Sequence, residues 1–161
     1  MSSASTTSTN RSYPTESTDH SVFDDAEDNA PRLLMVISRG RRYAIPVTQV
    51  REVIRPDQII RVPGAPPSVW GIANVRGAVV TVLDLAALLG HSRGASWGSV
   101  VLIERGPRCM GLAVDAVKGV QRADESGQVP LDALADDDVI VPLDALALCV
   151  RHLHSTQETT S

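Results

Sequence analysis

Short apolar runs alternate along this chain with polar breaks that contain Gly or Pro, and that alternation predicts strands joined by tight turns. Leu33-Leu34-Met35-Val36-Ile37 has strand length, the break Arg39-Gly40-Arg41-Arg42 follows, and Tyr43-Ala44-Ile45-Pro46-Val47 resumes the apolar pattern. Two such runs around a Gly-containing break predict a hairpin, with Gly40 supplying the backbone freedom of the turn. Val50, Val53 and Ile54 lead into the turn Arg55-Pro56-Asp57. Residues 62–67, Val-Pro-Gly-Ala-Pro-Pro, form an extended loop, because each Pro removes a donor and disfavours helix at its predecessor. Strands are expected over 70–75 and 78–83, flanking Arg76-Gly77. A short helix is expected over 84–89, with Asp84 near its start and Gly90 as its stop. The second part of the chain predicts strands over 100–103 and 110–114, a turn over 105–108, a segment with Val117 and Val120, a last strand over 139–144 and a last short helix over 145–150. Val36, Ile45, Val80, Val82, Leu102, Val114 and Ile140 are the expected core.

The pattern recurs. Gly40 and Arg42 match Gly106 and Arg108 at an offset of 66, and Val47, Val50 and Val53 match Val114, Val117 and Val120 at an offset of 67. Val79-Val80-Thr81-Val82-Leu83-Asp84 matches Val139-Ile140-Val141-Pro142-Leu143-Asp144 at an offset of 60, so the second copy lacks seven residues between Val120 and Val139. Repeats of this kind, made of short strands with Gly and Pro turns, predict small barrels. Each half is about 60 residues, too small to be comfortably stable alone. An apolar interface between halves at about 32–90 and 98–150 is therefore expected, with a partner groove between them.

Composition narrows the class. The 161 residues are 43% hydrophobic but only 3% aromatic, so Val, Leu, Ile and Ala must fill the core. The net charge of −4 is uneven, since residues 1–31 hold six acids and one base. That Ser/Thr-rich acidic segment cannot bury enough surface to order itself and is expected to be a disordered tail; residues 151–161 are expected to be another. No basic stripe stands out, which argues against nucleic acid. The Ser/Thr-rich start lacks an apolar targeting segment, and the stretch over 79–89 is broken by Asp84 and too short to span a bilayer. Two cysteines, Cys109 and Cys149, do not make a disulfide framework. A cytoplasmic protein without direct membrane insertion is expected.

The ordered pieces resemble CheW-like domains. The resemblance is carried by Leu34-x-Val36 before Tyr43-x-Ile45-Pro46-Val47-x-x-Val50-x-Glu52-Val53-Ile54, by Val62-Pro63-x-Ala65-Pro66, by Trp70-Gly71-Ile72-Ala73-Asn74-Val75-Arg76-Gly77, and by Val82-x-Asp84-Leu85 and Gly111-Leu112-x-Val114-Asp115-x-Val117. It covers roughly residues 32–150. It implies an all-β fold of two SH3-like small barrels with short helices. It also implies an adaptor that joins the regulatory domain of a histidine kinase to the cytoplasmic tip of a chemoreceptor. By resemblance, Val50, Glu52, Gly71, Asn74, Arg76 and Val120 line or support the partner surface. The stretch 121–138 is shorter than is usual in the family, so the second barrel is expected to be shortened. An alternative follows: a CheW-like module that binds a single partner in a motility or other chemosensory-like pathway.

Each chemical candidate has a plainer reading. Arg76 suits bidentate recognition, against the role of a solvated turn residue. Glu52 lies two residues after Val50, so in a regular strand both would face one side; it is a partner contact, a rim carboxylate or an intramolecular mate of Arg76. Asp84 and Asp144 look like paired acids, but their equivalent places ahead of short helices predict helix caps. Cys149, His152 and His154 resemble a metal cluster only superficially. No His is placed for acid–base work and no phosphate loop is present, so an enzyme and a cofactor are not expected.

Overall fold

A computed structural model of the chain describes residues 29–94, 96–129 and 140–158. The expected tail over 1–31 falls almost wholly outside the described residues. The order is β1 (Arg32–Ser38), β2 (Arg41–Pro46), a 3-10 turn (Val47–Gln49), β3 (Val50–Ile54), β4 (Val69–Val75), β5 (Ala78–Asp84), α1 (Leu85–Leu88), β6 (Ser99–Arg105), β7 (Arg108–Val114), β8 (Ala116–Arg122), β9 (Ile140–Pro142) and α2 (Ala145–Glu158). The fold is mostly β, in two sheets with the character of SH3-like barrels. The four-stranded sheet runs β8-β1-β2-β9 and the five-stranded sheet runs β3-β6-β7-β5-β4.

The sheets do not follow the two sequence halves. The hairpin β1–β2 of the first half is flanked by β8 and β9 of the second. The hairpin β6–β7 of the second half is flanked by β3 and β5 of the first. The repeat therefore survives in three dimensions with its flanking strands exchanged. Leu34 lies opposite Val120, and Val101, 67 residues after Leu34, lies opposite Val53, 67 before Val120. The parallel pairs Tyr43–Val141 and Thr81–Met110 obey the same rule. β4 has no counterpart among the described residues, and its seven residues equal the shortfall in the second copy.

Apolar clusters lie on both faces of each sheet, which explains continuous apolar runs where one-sided sheets would alternate. The shared core holds Leu34, Val36, Tyr43 and Ile45 from one sheet and Leu83, Val101, Ile103, Leu112 and Val114 from the other, closed by Leu148 and Cys149 of α2. The opposite face of the five-stranded sheet encloses Trp70, Ala73, Val80, Val82, Val100, Leu102 and Ala113. The opposite face of the four-stranded sheet has a smaller cluster: Leu33, Met35, Ala44 and Ala123. Six of the seven expected core residues are buried. Ile140 is only half-buried, because β9 is a three-residue edge strand and Ile140 packs on the small cluster from one side.

The last helix exceeds its expected end at 150 and continues to Glu158, so most of the segment expected to be a disordered tail is helical. Asp84 caps α1, its Oδ1 accepting from the Ala86 and Ala87 amides, and Asp144 caps α2 by accepting from Ala147 N.

Candidate functional site

Four of the six expected site residues meet on the five-stranded sheet. β3 and β4 are its two edges, yet Glu52 on β3 and Arg76 in the β4–β5 turn are joined by two parallel hydrogen bonds. Arg76 donates from one terminal nitrogen to Glu52 Oε1 at 2.6 Å and from the other to Oε2 at 2.8 Å. The sheet has curled until its edges meet, and this fork-on-fork pair spans the seam. The antiparallel bridge Ile60–Ile72 seals it further along, with both amide–carbonyl bonds at 2.8 Å.

The seam is built by local devices. A Cβ on Gly71 would lie 2.1 Å from the Ile60 carbonyl oxygen, and its φ is +154°, so only Gly permits the loop after β3 to close on β4. Gly71 thus supports the surface from beneath. Arg76 and Gly77 both have positive φ, +51° and +86°, between the paired Val75 and Ala78, which makes a two-residue hairpin turn of the primed type. Asn74 Oδ1 accepts from Gly77 N at 2.9 Å and fixes that turn. The guanidinium is displayed outward, with the Arg76 side chain 71% exposed against 26% for Glu52. Hydrogen bonds from Arg76 hold the Glu52 carboxyl below its ordinary range, and Glu52 pushes Arg76 upward.

Val50 does not share a face with Glu52. The ladder slips between them: Val50 lies opposite Ile103 and Glu52 opposite Leu102, leaving Arg51 as a β-bulge. Val50 therefore packs on the shared core with Ile103, while Glu52 follows Leu102 onto the barrel side. The expectation of one common face fails because the bulge inserts a residue into the two-residue period. Val120, 54% exposed, lies on β8 in the other sheet and is not brought to the seam.

Two features had no place in the sequence reading. Two guanidinium groups lie over the Trp70 ring, Arg93 with its Cζ 4.0 Å from the ring centroid and Arg61 at 6.0 Å. Clefts flank α2 where it crosses the sheets, one of about 470 Å3 lined by Val69, Val79, Thr81, Met110 and Leu153 among others. Cys149 is buried in the shared core, whereas His152 pairs with Ser68 Oγ at 3.2 Å and His154 is exposed, so the three do not converge. Among the described residues no group of three or more His, Cys, Asp or Glu is placed to hold a metal ion. No described helix is long and apolar enough to cross a membrane.

Comparison with known proteins agrees with this architecture. Residues 32–143 match the family model described as the CheW-like domain. Chemotaxis protein CheW of Klebsiella aerogenes is 31% identical over 84 residues, 50% of this chain and 50% of that protein. Protein PilI of Pseudomonas aeruginosa is 31% identical over 108 residues, 66% of this chain and 56% of PilI. The chain thus spans about half the length of these two curated relatives. The crystal structure of scaffolding protein TtCheW from Thermoanaerobacter tengcongensis superposes with a TM-score of 0.59 at 26% identity, covering 73% of this chain and 92% of that one. With the matched family model extending over most of the two-sheet body, the chain belongs to the CheW-like domain family.

Proposed function

We propose that this protein is a non-enzymatic, cytoplasmic adaptor that couples chemoreceptors to a chemotaxis-type histidine kinase. The regulatory domain of the kinase docks on the seam around Glu52 and Arg76, and the receptor's cytoplasmic tip uses a separate face. One observation carries the reading: within a CheW-like body, a mostly exposed arginine is pre-set by a carboxylate and a fixed turn. An ordered guanidinium loses little further freedom on binding and meets a partner with its planar edge.

The supporting experiment is titration of the full chain with a kinase regulatory domain and a receptor tip, separately and together. The reading expects a ternary complex and a defect confined to the kinase arm for Arg76→Ala. Failure of both partners to bind the native chain would overturn it.

A second reading is favoured by the four-stranded sheet, which among the described residues lacks a β4 counterpart, and by the likeness to PilI. In it the chain engages a single partner in a motility or other chemosensory-like pathway. Mutually exclusive binding, or binding of one partner alone, selects this reading.

A further inference from the structure

The first turn of α2 is capped from two directions. Asp144 Oδ1 accepts from Ala147 N at 2.9 Å, but Leu146 N donates to Gln49 Oε1 at 3.0 Å, across 97 residues of sequence. The same Gln49 side chain donates from Nε2 to Asp144 Oδ1 at 3.0 Å. Donor and acceptor of one amide are thus both spent on one helix end. The equivalent Asp84 behaves differently: its two oxygens accept from Ala86, Ala87 and Gly94 amides, all close in sequence. A reciprocal side-chain bridge to a distant element is a property of the second helix, not of the repeat.

Gln49 ends the 3-10 turn, and the next residue, Val50, begins β3. Val47 and Val50 pack on the shared core that α2 lines through Ala145, Leu148 and Cys149. The bulge at Arg51 and then Glu52 follow directly. A short polar link and a common apolar bed therefore join the helix to the strand that carries the seam.

We propose that Gln49 is a positioning residue: its amide ties the first turn of α2 to the start of β3, so that displacement of the helix is transmitted to the Glu52–Arg76 surface. The proposal rests on the functional reading above only in naming that surface as the kinase-docking face. Coupling of this kind requires one element whose position both faces bias, and β3 with its leading turn is that element.

Hydrogen exchange on the full chain tests the link without any partner. Gln49→Leu should cost the first-turn amides of α2 and the amides of β3 about tenfold in protection together, while the β6–β7 hairpin keeps its own. Affinity for a kinase regulatory domain should fall about tenfold in the same variant. Gln49→Glu sets a second carboxylate against Asp144 and should weaken both readouts. Adding Asp144→Asn removes that repulsion while keeping a good helix cap and should recover most of the loss. Unchanged β3 protection in Gln49→Leu, uniform loss across all strands, or no recovery in the double variant each overturns the proposal. If the native chain does not bind the kinase domain at all, the functional reading fails, and the exchange experiment still decides the bridge.

Discussion

Glu52 and Gly119 occupy equivalent positions in the two repeats, the first opposite Leu102 and the second opposite Met35, each directly after a bulged basic residue, Arg51 or Lys118. The equivalence extends to the slip in the ladder and stops at the side chain. At Glu52 a carboxylate reaches across the seam to Arg76; at Gly119 there is no side chain and nothing within 4 Å of where a Cβ would sit. Duplication supplied two similar edge strands, and one of them carries the charged seam.

Arg76→Ala should leave the melting temperature nearly unchanged, since the side chain is 71% exposed and its removal opens no cavity. Kinase-domain affinity should fall by about thirtyfold, as for a truncated interface arginine. Calorimetric titration and a melt of the same sample check both. Glu52 adds a pH signature: its folded pKa is depressed, so the pair's contribution is present above the ordinary carboxylate pKa and fades as pH falls through the depressed value. Binding by native protein should therefore hold at neutral pH and weaken only in acid.

Gly71→Ala should destabilise the fold by about 2 kcal/mol or more, because a methyl group there meets the Ile60 carbonyl at 2.1 Å in a backbone conformation that side chains resist. Urea denaturation measures this. A cost near zero would mean that the loop over 55–68 does not close on β4.

Val82→Ala and Val79→Ala form a matched pair on β5. Val82 is wholly buried and should lose about 1–3 kcal/mol. Val79 is 71% exposed and should change stability by less than about 0.5 kcal/mol. A larger cost for Val79→Ala than for Val82→Ala would mean that the facing of β5 is reversed.

The two thiols should differ in reactivity. Burial pushes the Cys149 thiol up to about 11, so little thiolate exists at pH 8, and the sulfur is sealed in the shared core. Cys109 is partly exposed, and burial raises it less. Iodoacetamide followed by mass spectrometry should label Cys109 first, and Cys149 only once denaturant opens the core.

Much of this molecule is set locally and was legible along the chain. The hairpins follow from Gly-containing breaks, the caps from Asp84 and Asp144, and the two copies from valines repeated at offsets of 67 and 60. The lack of a β4 counterpart among the described residues also has a sequence signature, the seven-residue shortfall. The extension of α2 had one too: Leu146, Cys149, Val150 and Leu153 recur at helical spacing, a pattern that runs past the expected end at 150. Other features depend on which distant segments meet. Neither Val50 nor Glu52 reveals that Arg51 bulges, because a bulge is a mismatch between two strands and exists only once β3 lies against β6. The exchange of flanking strands between the halves cannot be read from either copy, since each edge strand offers the same valines to either hairpin. Gln49 is likewise an ordinary polar residue until α2 arrives beside it. Sequence determined the elements and their duplication through local backbone preferences and apolar periodicity. Tertiary structure decided the pairing, because closing both sheets over one shared core required each hairpin to take its edges from the other half.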